Sequence, residues 1–97
     1  MKIINLDGRF AGYPRWKYAL QFRKGKSHWN WDQEYYKVRE IIESIHGPNA
    51  TPNPERETNI WANYWIYNEN WLIDTKRRRI LLKNQADISM IMLKMPG

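Results

Sequence analysis

Two hydrophobic rhythms in the first half of the chain restrict what it can fold into. Trp16, Tyr18, Leu20 and Phe22 alternate with Lys17, Ala19, Gln21 and Arg23. A period of two puts the four large side chains on one face of a strand and the rest on the other. Gly12, Pro14 and Gly25 bracket this strand with turn chemistry. The period then lengthens. Trp31, Tyr35, Val38, Ile42 and Ile45 recur at steps of four and three, one apolar stripe along a helix over 32–46. Asn30 or Asp32 can cap its start, and Gly47 followed by Pro48 ends it. A chain with both rhythms mixes sheet and helix.

Residues 47–58 carry Pro48, Pro52 and Pro54 and no core-forming side chain. Proline removes backbone donors and breaks helices, so the segment reads as an exposed Pro-rich loop. Beyond it, 59–67 is rich in Trp, Tyr and Ile and reads as a strand. Asn68-Glu69-Asn70 reads as a turn, because Asn tolerates left-handed backbone. Trp71-Leu72-Ile73 and Arg79-Ile80-Leu81-Leu82-Lys83 read as two more strands, joined by a turn at Asp74-Thr75-Lys76-Arg77-Arg78. Together they suggest a three-stranded antiparallel meander. Met1 to Leu6 offers a short extra strand. At the other end Ile88, Ile91, Met92 and Met95 make a helical stripe with Asn84 as cap and Asp87 near the positive end. A strand over 88–93 is the alternative. The expected fold is one α+β domain over 1–97. It has a small, mainly antiparallel sheet of about four strands, two helices packed on one face, and the order β-α-β-β-β-α.

Composition narrows the function classes. Six Trp, six Tyr and two Phe argue against disorder. No apolar stretch approaches the roughly 20 residues of a membrane span. The opening Met1-Lys2-Ile3-Ile4-Asn5-Leu6-Asp7 does not read as a secretory signal. With no Cys, a disulfide framework, an iron–sulfur cluster and a thiol nucleophile are excluded, and a reducing cytosol fits. Sixteen Lys and Arg against ten Asp and Glu give a net charge of +6, which favours anionic partners.

The candidate contact residues follow from aromatics and charge. Trp61, Trp65 and Tyr67 share one face of the 59–67 strand, and Ile60, Ala62, Tyr64 and Ile66 the other. The Ile-rich face is the better core candidate. That leaves the Trp face exposed, unless the strand is central and covered on both sides. An exposed row of Trp and Tyr suits contact with protein or with bases. One basic cluster is Arg23-Lys24-Gly25-Lys26, followed by Ser27-His28-Trp29. The other is Lys76-Arg77-Arg78-Arg79. Each is either a solvated turn or a phosphate contact with stacking from Trp29. If the first helix is a crossover between parallel strands, the clusters lie at opposite ends of the sheet. Hairpin-like pairing would bring them together.

Catalytic signals are thin. His28 and His46 are the only imidazoles, and no metal-binding or phosphate-binding motif is present. His46 reads as a helix C-terminal cation. In size and charge, but in no motif, the chain is similar to the bacterial toxin ribonucleases.

The C-terminal third supports a pattern-level likeness. It runs from Asn70-Trp71-Leu72-Ile73-Asp74 through Arg79-Ile80-Leu81-Leu82-Lys83-Asn84 to Asp87-Ile88-Ser89-Met90-Ile91-Met92-Leu93. This strand, charged turn, strand and brief apolar ending resembles small accessory proteins of tailed bacteriophages. The resemblance implies a protein that binds and alters a host factor.

These readings converge on a non-catalytic cytoplasmic binding protein without cofactor. It is expected to dock on another protein, a host factor of the phage type, through an aromatic and basic surface. The contacts expected are Trp61, Trp65, Tyr67, Arg23, Lys24, Lys26, Trp29, Lys76, Arg77, Arg78 and Arg79. The alternatives are a single-stranded nucleic-acid-binding domain of low sequence specificity and a small basic endoribonuclease. An exposed Trp61 strand would also allow pairing with a second copy.

Overall fold

The computed structural model describes residues 1–6, 15–23 and 32–95. Strands β1 (Lys2–Asn5) and β2 (Tyr18–Gln21) precede helix α1 (Gln33–His46). Then come β3 (Ala50–Pro52), β4 (Trp65–Tyr67), β5 (Trp71–Asp74), β6 (Arg79–Leu82) and helix α2 (Gln85–Lys94). The main sheet has the order β1-β2-β6-β5, and every neighbouring pair is antiparallel. This is the α+β class that the two rhythms imply. The opening strand is present, and the last segment is a helix.

The meander is not as expected. β5 and β6 form a hairpin, but β4 pairs with β3 in a separate two-stranded sheet. Only Trp65–Tyr67 of the anticipated 59–67 strand is extended. Its N-terminal half is turned by hydrogen bonds from Thr58 and Asn59 N–H to the Glu55 carbonyl and from Ala62 N–H to the Asn59 carbonyl. The Pro-rich segment is likewise more ordered than a loop. It contributes β3 and a single 3₁₀ turn, Pro54–Glu57. Pro54 opens that turn, where a missing N–H costs nothing, and the Asn53 side chain accepts from Glu55 N–H at 3.1 Å.

Both helices cover one face of the main sheet. Tyr35, Val38 and Ile42 of α1 and Ile91 of α2 bury against Leu20, Phe22, Trp71, Ile80 and Leu82. Trp71 is fully buried, and its indole N–H donates to the Gly47 carbonyl at 3.0 Å. Gly47 ends α1 with φ 84°, a left-handed value that glycine adopts without a Cβ clash. Asp32 caps α1 through a bond from Glu34 N–H at 3.2 Å. Asn84 precedes α2 but makes no side-chain cap bond. At the helix junction His46 Nε2 lies 2.9 Å from Asp87 Oδ2, with both side chains largely buried.

The reverse face is apolar too, contrary to the expectation of a single covered face. Ile4, Ala19, Leu81 and Leu72 lie in one cross-strand row, and Ala19 and Leu81 are buried. Leu6 and Trp16 pack on this face with Ile4 and Leu72, and that covers Ala19 and Leu81. Trp16 belongs to this reverse face and not with Tyr18, Leu20 and Phe22. The chain bends at Lys17, whose N–H donates to Leu82 and whose carbonyl accepts from Leu6 N–H. That bend breaks the alternation one step early.

Candidate functional site

The aromatic site is built by the β3–β4 hairpin and the 53–64 segment that closes it. Arg56 is the hub. Its guanidinium donates to the carbonyls of Ile60 and Ala62 and to the Tyr64 hydroxyl, and it stacks 4.0 Å from the Tyr64 ring centroid. Asn53 adds a backbone bond to Tyr64 O at 2.9 Å and a side-chain bond to Asn63 O at 2.8 Å. The segment is thus ordered by polar contacts instead of an apolar core, and no residue of 53–67 is buried.

The apolar side chains of this unit point outward. Trp61 is 89% exposed, and Ile60, Tyr64, Trp65, Ile66 and Tyr67 are all exposed as well. Both faces of β4 are therefore open, so neither the Ile-rich face nor the Trp face meets the core. Trp61 sits in the turned segment and not on the strand with Trp65 and Tyr67. Residues 58–68 carry no charged side chain.

Asparagines fasten the hairpin to the body. Asn68 donates to the carbonyls of His46 and Pro48 and accepts from Asn70 N–H at 2.8 Å. The turn after β4 is therefore made by side-chain bonding; the positive φ values at non-glycine residues are confined, among the described residues, to Arg78. At the hairpin root a cleft of about 440 Å³ runs between Tyr67 and the sheet, with Arg15, Trp16, Leu72 and Lys83 on its walls.

The basic residues gather elsewhere. Because β2 and β6 are antiparallel, the end of β2 lies against the start of β6. Phe22 N–H donates to Arg78 O at 3.0 Å. Gln21 clamps the two segments: its amide donates to Arg77 O at 2.7 Å and its oxygen accepts from Arg79 Nε at 2.6 Å. Arg23 therefore lies at the same end as Lys76, Arg77, Arg78 and Arg79. Lys24, Lys26 and Trp29, with His28 and Trp31, lie outside the described residues. The hairpin–sheet junction is at the Trp71 end of β5 and the arginine turn at its Asp74 end, a strand length of roughly 10 Å away. Among the described residues, the aromatic hairpin and the arginine turn thus stand at separate ends.

Sequence reasoning missed Arg56, Tyr64, Gln21 and Lys2. The only signal for Arg56 was a lone cation in an otherwise structureless proline stretch. Among the described residues no group of three or more His, Asp or Glu side chains is placed to hold a metal ion. Nor is any helix among them long and apolar enough to cross a membrane. Burial raises the Tyr35 phenol above its usual range, partly offset by the charge of Arg39. The fold and these two surfaces define a small α+β domain with a polar-braced aromatic hairpin. Comparison with protein-family profiles, with curated proteins and with solved structures gives no match.

Proposed function

We propose that the protein is a non-catalytic binding domain that docks on another protein through its aromatic hairpin. The observation that carries this reading is Trp61, 89% exposed on a segment held in shape by Arg56. Exposed Trp costs solvation free energy unless a partner covers it, and rigid aromatic anchors dominate protein interfaces. Tyr64, Trp65 and Tyr67 extend the patch, and the cleft beside Tyr67 offers a recess for a partner side chain. The absence of charge over 58–68 removes the desolvation cost that burying a charge would add. The likeness to phage accessory proteins makes a host protein in the bacterial cytoplasm the partner of choice.

The test is a pull-down with the wild type and with Trp61→Ala/Trp65→Ala. Hot-spot truncations cost about 2 kcal/mol or more each, so the double variant should lose its partner. Its circular dichroism and unfolding temperature should match the wild type, because both side chains are exposed. Capture of the same proteins by both forms would refute docking through this patch.

A further inference from the structure

We propose that the opposite end of the main sheet binds the phosphate backbone of a nucleic acid. The register places Lys2, Gln21, Arg79 and Asp74 in one row across all four strands, on the face away from the helices. Arg23 follows β2 at this end, and Lys76, Arg77 and Arg78 form the turn between β5 and β6. Asp74 is the one carboxylate in the row, and Arg77 engages it at 3.3 Å. The cations Lys2, Arg23, Lys76 and Arg78 have no such carboxylate partner among the described residues.

Arg78 supplies a second, independent observation. It has φ 54°, a left-handed conformation in which Gly or Asn is more at ease. Non-glycine residues held at such φ values cluster at binding sites and ligand clamps. Its backbone carbonyl is bound by Phe22 N–H and by the Gln21 amide, which fixes the turn beside Arg23.

The surroundings favour a nucleic acid over an acidic protein surface. Lys2 lies on the edge strand β1, and Lys76, Arg77 and Arg78 follow the opposite edge strand β5, so the cations are spread across the width of the sheet. Cations spread in this way suit a partner whose charge is spread along a backbone.

The experiment is an anisotropy titration of a labelled oligothymidylate at several salt concentrations. The wild type should bind, with affinity falling as salt rises. For single strands the logarithmic slope is about −0.7 per neutralised phosphate, so Arg23→Ala/Lys76→Ala/Arg78→Gly should flatten it by about two. Arg78→Gly alone should weaken binding yet unfold no earlier than the wild type, which separates binding from folding. Trp61→Ala/Trp65→Ala should bind as the wild type does. No binding at low salt, or an unchanged slope in the triple variant, would overturn the proposal. So would equal competition by polyglutamate of matched charge, which would assign the surface to acidic polypeptides.

Discussion

Replacing Arg56 with Ala separates the order of the hairpin from the stability of the core. The guanidinium holds two carbonyls and one hydroxyl and stacks on Tyr64. At about 1 kcal/mol per hydrogen bond in this accessible setting, and roughly 0.5–1 kcal/mol for the stacked cation, local order loses about 3–4 kcal/mol. None of that is core free energy, since 53–67 contains no buried residue. Local opening therefore becomes easier by about two to three powers of ten, at 1.4 kcal/mol for each factor of ten. Hydrogen exchange reads this directly. The N–H groups of Asn53, Asn59 and Ala62, bonded to Tyr64, Glu55 and Asn59, should lose protection. The N–H groups of β2 and β6 should not. The unfolding temperature should fall by less than about 4 °C, because a shift of 4–8 °C corresponds to about 1 kcal/mol of global stability. Partner capture should weaken although no contact residue has changed. Arg56→Lys should behave similarly, since an ammonium lacks the planar fork that spans these acceptors. Unchanged protection across 53–64 would refute the hub. Parallel loss in β2 and β6 would show the hairpin to be part of the core's cooperative unit.

Further predictions concern the body. Arg78→Gly relieves a left-handed residue worth about 1–2 kcal/mol while adding about 0.5–1 kcal/mol of glycine chain entropy. Thermal unfolding should therefore occur up to several degrees higher, and a lower midpoint would mean that the arginine side chain stabilises the turn. Asp87→Ala strips His46 Nε2 of its partner at 2.9 Å and removes an anion from the first turn of α2. A loss of about 1–3 kcal/mol in urea unfolding is expected, and a neutral effect would show the pair to be dispensable. Trp71→Phe leaves part of a filled site empty and the Gly47 carbonyl without its donor, so it should cost about 2–4 kcal/mol by the same measurement. Tyr35 predicts an alkaline loss of stability. Its folded pKa is raised, so its contribution is complete below the unfolded value of about 10 and fades as pH climbs from there through the folded value. Tyr35→Phe should flatten stability against pH above about 10, and an unaltered alkaline limb would assign the loss to other groups.

The parts of this fold that were legible in the sequence are those decided by local periodicity. Of the α1 stripe, Tyr35, Val38 and Ile42 bury as their spacing implies, Ile45 in the last turn is exposed and Trp31 lies outside the described residues, while Gly47 stops the helix as its backbone freedom allows. Pairing was less legible, because it depends on contacts distant in sequence. Residues 59–64 have the composition of a strand, yet Arg56 and the Glu55 carbonyl turn them aside, and no period reports a hydrogen bond between side chain and backbone. Ala19 and Leu81 look like the outward positions of one-sided strands. β6 inserts between β2 and β5, and Leu6 and Trp16 pack over the face that carries Ala19 and Leu81, a coverage that alternation within one strand cannot encode. The exposure of Trp61 was only half legible: its chemistry suggested a contact surface, but the strand on which it was placed does not exist there.

The same inserted strand explains why the two candidate surfaces lie apart. With β6 antiparallel to both β2 and β5, the β5–β6 turn must fall beside the end of β2, so Arg23 and 76–79 converge. The start of β5 must then fall at the other end, and the chain reaches it directly from β4. Basic and aromatic residues are therefore held at opposite ends of one short, rigid sheet by its strand order, and a single small ligand cannot span both. A protein gripped by the hairpin would leave the arginine turn free to meet an anion. If both proposals hold, addition of the protein partner should leave oligothymidylate affinity unchanged. Mutual exclusion would instead require that one partner extend across the sheet to both ends.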